Sequence, residues 1–272
     1  MVKTLALLIL LFNSSCLAQA SNPESFISDI SKIFTASMYH IFKNQAVINQ
    51  KGGDKSSLFD EKFIEGLKQT YKQKHHKSFP EKSSRLQSLL LKTMVEVMEE
   101  NRTLINDEAL GFKGFIPAIF AFQVSEKLSR KGIGIKIKFT NMIGSVRNPL
   151  NLPDAWEIRA MNKFKNSKLE PLFDDTSLMN NIPSYRYFLP MKLDKFCLNC
   201  HGKPSDNPLN RDKDITEYTH IDMTGFPMEN WTLASFAGGM SITIYKKDFM
   251  ELEELCKSNY ISSFTCHFFS LE

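Results

Sequence analysis

The sequence predicts an α+β chain, with helices gathered in its first half and an antiparallel sheet built from short strands in its second. Apolar residues recur at three- and four-residue steps from Phe26 to Phe42 and again from Leu86 to Met98, as in amphipathic helices. Ile133, Ile135, Ile137 and Phe139 alternate with Gly134, Lys136 and Lys138, and Met240 to Tyr245 alternates in the same way. That period of two marks strands with one buried face.

Taken in order, the chain begins with a targeting pattern. Met1-Val2-Lys3-Thr4 precedes an unbroken apolar run from Leu5 to Phe12 and a small-x-small ending, Ala18-Gln19-Ala20. Residues 1–20 therefore read as a secretory signal peptide cut after Ala20, too short to span a bilayer. Cys16 raises a lipoprotein alternative, but Asn13 stands where such a signal wants an apolar residue. A periplasmic location is expected, and no later stretch reads as a membrane helix.

Residues 21–110 are expected to be helical. A long N-terminal helix carries Phe26, Ile30, Ile33, Phe34, Met38, Ile41 and Phe42 on one side. Lys51 to Ser57, with Gly52-Gly53, breaks it, and Phe59 to about Tyr71 forms a second helix. His75-His76 lies in a Lys-rich stretch and reads as solvated surface. Leu86, Leu89, Leu90, Met94, Val97 and Met98 outline a third helix to Asn101.

From 111 to 248 the pattern becomes mixed. Gly111 to Pro117 is a turn feeding a helix to about Arg130, with Pro117 in the first turn, where a missing N–H costs nothing. The strand around Ile133–Phe139 follows. Arg147 to Asp154, with two prolines and two asparagines, is a fixed loop, and Asp154 is placed to cap a helix from Ala155 to about Lys165. Tyr185 to Leu189 reads as a strand, Gly202 to Trp231 as irregular, and Met240 to Tyr245 as the closing strand. Residues 249–272 read as a tail.

Composition bounds the classes. The chain has 272 residues, 42% of them hydrophobic and 22 of them Phe, enough to fill a core. Its net charge of +4 is spread along the chain, which argues against a nucleic-acid partner.

The stretch Cys197-Leu198-Asn199-Cys200-His201 carries chemistry. Cys-x-x-Cys-His is the attachment signature of c-type haem: two thiols add to the two vinyl groups, and the adjacent imidazole reaches the iron. Half of a zinc site or a thioredoxin-like redox pair are the alternatives. With Cys197 and Cys200 so used, Cys256 and Cys266 are left either bridged in an oxidising compartment or as free thiols.

Three blocks then resemble a known family. They are Arg147-Asn148-Pro149-Leu150-Asn151-Leu152-Pro153-Asp154-Ala155-Trp156-Glu157, the run Tyr185 to Pro190 followed by Cys197 to Pro204, and Gly225-Phe226 with Ala237-Gly238-Gly239 and the strand to Tyr245. Together, from about Gly111 to Tyr245, they resemble the periplasmic PAS-like c-type haem-binding domain, found alone or as the sensory part of bacterial chemoreceptors and kinases. The resemblance implies a PAS-like antiparallel sheet with flanking helices and one covalently bound haem c at Cys197, Cys200 and His201. Some relatives take a distal Cys from the helix before the first strand; here Phe115 to Arg130 holds no Cys, His or Met. His40 is the first candidate for that metal position, with His220 and Met142 behind it, and a helix-face role is the bland reading of His40. Arg147 and Arg186 are candidates for the haem propionates, or else partners of Asp154 and Glu157.

The expected role is an exported redox or ligand sensor or an electron carrier, with a diatomic gas or a redox protein as partner. Ligand binding is expected to free the segment from Ser25 to Gln50, and with no kinase, chemoreceptor or membrane segment before Glu272 the signal would pass through a partner. A haem enzyme such as a peroxidase is the rival, though no residue pattern supplies its distal acid–base group. A partner-binding protein without catalytic role is the third class.

Overall fold

A computed structural model describes residues 22–254, apart from 82 and 165–168. The leader expected over 1–20 lies outside the described residues, as do Cys256 and Cys266. The helices are α1 (Pro23–Lys43), α2 (Gln45–Asn49), α3 (Asp60–His75), α4 (Arg85–Glu100), α5 (Arg102–Asn106), α6 (Pro117–Arg130), α7 (Ala155–Phe164), α8 (Leu198–His201) and α9 (Lys246–Glu253). The strands are β1 (Ile135–Thr140), β2 (Leu172–Asp174), β3 (Leu178–Met179), β4 (Ile182–Lys192) and β5 (Phe236–Tyr245).

Local chemistry accounts for the helix ends. Asn22 caps α1 by accepting the Glu24 N–H at 3.0 Å, and Pro23 fills the first helical position. Ser84 and Gln87 form a reciprocal capping box at α4. Asp154 and Glu157 do the same at α7, each side chain accepting the other's backbone N–H at 2.9 and 2.8 Å.

The sheet runs β1-β5-β4-β2, with β3 also on β4, and every pair is antiparallel. Ile137 faces Ile242, which faces Tyr187 on the other side. The approach of the strands is tight at Gly238 and Gly239: a Cβ on Gly238 would strike the Thr140 carbonyl, and one on Gly239 would strike Phe188 and the Leu189 carbonyl. Gly238 also has a φ of +76°, so its place is set by both backbone and space.

Alternation along the strands divides two layers. Tyr187, Met240, Ile242 and Ile244 join Ile135 and Ile137 in one apolar cluster with α1, α3, α4 and α6. On the opposite face, Phe188 packs with Trp156, Ala160, Met161 and Phe164 of α7. The front helices and the sheet thus share a core. α9 crosses the point where a tail was expected to begin, and its Phe249 sets an edge against Phe26 and Tyr185.

The position of α1 bears on the anticipated movement. Ile27, Ile30, Ile33, Phe34 and Ile41 are fully buried, and burying five such side chains is worth roughly 10 kcal/mol. Freeing the whole segment would open the core, so α1 is a structural helix of this fold rather than a loosely docked arm. Among the described residues, no helix is long and apolar enough to cross a membrane.

Candidate functional site

The Cys-x-x-Cys-His run leaves β4 and enters a helical stretch: a 3-10 turn, Lys195–Cys197, continues into α8. Asp194 starts it by accepting the Lys195 N–H at 2.6 Å. Three residues of helix bring Cys197 and Cys200 to one side of the turn. Both are free, half-buried thiols. Burial pushes the Cys197 thiol up, and burial with the nearby Asp222 carboxylate pushes Cys200 up to about 11. Thiol–disulfide enzymes lower such values to gain thiolate; burial acts in the other direction on these two cysteines.

His201 ends the helix and is held on three sides. Its Nδ1 lies 2.9 Å from Glu229 Oε2, and its ring stacks on Trp231 at 5.2 Å between centroids and 15° between planes. Its carbonyl accepts the Trp231 N–H at 2.8 Å. Glu229 is in turn gripped by Arg147, whose Nε and second terminal nitrogen reach the two carboxylate oxygens at 2.8 and 2.9 Å. The other terminal nitrogen of Arg147 donates to Asp222 at 2.5 Å, and the guanidinium also donates to the Cys200 carbonyl at 3.0 Å.

The loop supplying those acids is built from side-chain hydrogen bonds because it lacks regular structure. Asp222 accepts from Thr224 and Phe226 around a turn with Gly225 at φ +85°. Buried Asn207 and Asn210 donate to the carbonyls of Ile221 and of Pro204 and Thr219. Burial opposes ionisation of Asp222 and Glu229. Their hydrogen bonds outweigh it and hold both carboxyls below the usual range, Asp222 through Thr224 and Arg147 and Glu229 through His201 and Arg147.

The structure therefore brings Cys197, Cys200, His201 and Arg147 together. Arg147 meets Asp222 and Glu229 rather than Asp154 or Glu157. Arg186 is elsewhere: it lies buried on β4, 2.7 Å from Asp154 and 3.4 Å from Glu157, with its guanidinium 4.3 Å over the Trp156 ring. Glu229, Asp222 and Trp231 were not singled out from the sequence. Only the Asp222-Met223-Thr224-Gly225 turn left a local signal there, and nothing in the sequence marked Glu229.

α1 touches the motif through Phe42, which stacks on Phe196 at 3.7 Å. One turn earlier, Met38 lines a cleft with Ala118, Phe122, Ser125, Phe139 and Leu150. His40 faces another way. Its ring meets Phe63 edge-on, and a Cβ on Gly66 would collide with it. Its Nδ1 is 3.0 Å from the Thr70 hydroxyl, whose own hydrogen goes to the Gly66 carbonyl, so Nδ1 carries the proton. Nε2 is buried without a hydrogen-bond partner. His220 is exposed and Met142 sits beside the α7 cluster.

Burial, helped by Lys43, lowers the His40 pKa from 6.5 to about 4. Between those values the unfolded chain binds a proton that the folded chain refuses. Stability attributable to this group is present above pH 6.5, declines as pH falls toward 4 and levels off below, a span of roughly 3 kcal/mol. His40→Gln is expected to flatten that decline in urea unfolding measured from pH 7 to 4; equal pH dependence in the two proteins would refute the assignment.

The family profile described as Tll0287-like matches residues 17–244. A solved structure, the cyanobacterial heme-protein Tll0287, aligns with 83% of this chain and 98% of its own at 11% identity and a TM-score of 0.36. No curated protein matches the sequence. By a profile match over most of its length, the chain belongs to the Tll0287-like family.

Proposed function

We propose that this chain is an exported, periplasmic c-type haem protein with one haem bound through Cys197 and Cys200, His201 being its axial ligand. Its role is that of a redox or ligand sensor or an electron carrier, working with a diatomic gas or a redox protein. The observation that carries the reading is the helical turn with two free thiols on one side and a histidine whose Nδ1 is engaged by Glu229. That engagement leaves Nε2, with its lone pair, for a metal.

The residues present fit such a group. Among the described residues, no cluster of three or more His, Cys, Asp or Glu side chains could hold a metal ion by itself. A haem iron needs only an axial ligand from the chain, because the porphyrin supplies the rest. The cleft lined by Met38, Phe122, Phe139 and Leu150 has an apolar wall, and Met38 lies one turn of α1 before Phe42, whose ring stacks on Phe196. The family to which the chain belongs takes its name from Tll0287, and the solved structure of that name is called a heme-protein.

When bound, haem would supply one-electron exchange and an iron able to take an exogenous ligand. Cys197 and Cys200 would hold it by thioether bonds, and Glu229 and Trp231 aim His201. Arg147, occupied by Glu229, Asp222 and Cys200, serves the histidine side of the site. The test is expression with haem-maturation machinery, followed by intact mass and oxidised and reduced visible spectra. A mass increase of one haem with c-type bands is expected. Protein of unmodified mass, or haem that extracts into acid–acetone, would overturn the proposal.

A further inference from the structure

His201 does not stand alone behind its motif: a carboxylate, a cation and an indole fix it, and this arrangement has consequences for the iron. A carboxylate oxygen without a proton only accepts hydrogen bonds. Glu229 Oε2 is 2.9 Å from His201 Nδ1 and 2.9 Å from Arg147, while Oε1 is 2.8 Å from Arg147 Nε. Nδ1 of the neutral imidazole therefore carries the hydrogen, and Nε2 is the coordinating nitrogen. Asn230, with a left-handed φ of 59°, turns the chain directly after Glu229, its N–H donating to the Gly202 carbonyl at 3.1 Å. That turn lays Trp231 flat on the imidazole.

The cation side is equally determined. Arg147 is anchored by the fully buried Asp222 carboxylate and donates to the Cys200 carbonyl within the motif. One guanidinium therefore sets the place of Glu229 and of the helical turn that bears Cys200. The aim of the imidazole and the position of the thiols depend on a common anchor.

We propose that Glu229 is a positioning residue for the iron-binding histidine: it accepts the Nδ1–H of His201, selects Nε2 as the ligand atom and, by its negative charge, favours ferric over ferrous iron. This rests on the haem reading above and deepens it. A carboxylate on the far nitrogen raises the basicity of a ligating imidazole, and a stronger donor stabilises the more oxidised metal. Arg147 tempers the effect by sharing the same oxygens.

The test is Glu229→Gln in the haem-loaded full chain. The amide oxygen can still accept from Nδ1, so the geometry persists while the charge is removed. The ferrous-to-ferric ratio at a fixed applied potential is expected to rise tenfold or more, which is about 59 mV for one electron. Equal potentials in the two proteins would overturn the proposal. The second measurement needs no variant: nitrogen-15 NMR of labelled histidine in the full chain before haem attachment should find Nδ1 protonated and Nε2 bare. The opposite tautomer at His201 overturns the assignment. If the wild-type chain takes no haem, the reading of the previous section fails, and the tautomer still decides whether Glu229 directs His201.

Discussion

Replacing Cys197 and Cys200 together by serine is expected to abolish covalent haem entirely. Each thiol adds as S–H across a vinyl group, forming one C–S and one C–H bond, so the attachment consumes no oxidant and cannot be made by a hydroxyl under the same conditions. The double variant should show no haem stain on a denaturing gel and no mass adduct, with any pigment moving into acid–acetone. Each single variant should keep one thioether. His201→Ala should keep the adduct and lose the axial nitrogen, shifting the ferric and ferrous spectra. The fold should survive the serine changes, because both cysteines are only half-buried and neither forms a disulfide. Covalent haem persisting in the double variant would end the c-type reading.

Arg186→Ala is expected to destabilise the fold by about 1–3 kcal/mol, the cost of depriving buried groups of a charged hydrogen-bond partner. The Arg186 side chain is 3% exposed and faces Glu157, itself 2% exposed, with Asp154 on the same nitrogen. Removing the guanidinium leaves Glu157 the Lys138 ammonium at 2.7 Å and the Asp154 N–H at 2.8 Å, and it strips the cation from the Trp156 face. Urea unfolding of the two proteins at pH 7 measures the difference. A loss below about 1 kcal/mol, the range of exposed pairs, would sink this account. The haem content of the folded variant should match the wild type, since Arg186 serves α7 and not the motif. A changed spectrum with unchanged stability would reverse the two roles.

The Asp154–Glu157 capping box carries further weight in this arrangement. Depression of the Asp154 carboxyl, driven by Arg186 and the Glu157 N–H against the burial that opposes it, adds stability above the ordinary carboxylate range. That contribution is lost as pH falls through the depressed value. The same charge network therefore couples the start of α7 to the centre of β4.

The sequence by itself determined what depends on near neighbours. The periodicity of α1 and α4 was legible because 3.6 residues per turn repeat whatever lies opposite, and β1 and β5 were legible because their side chains alternate. The thiol spacing at Cys197 and Cys200 is a property of one helical turn, and the Asp154 cap is a property of three residues. Tertiary structure alone decided the rest. β2 and β3, of three and two residues, are too short to display a period, and β4 imposes them by offering unpaired backbone groups. Two arginines looked equivalent in sequence, yet Arg186 is committed to α7 by a buried acid and Arg147 to His201 by Glu229. His40 sits on the long helix near Phe42, but two residues turn it about 200° around the axis, toward α3 rather than the motif. Glu229 meets Arg147 across 82 residues and left no local mark. Such meetings follow from where loops cross and which buried charges must be paired, and no spacing along the chain records either.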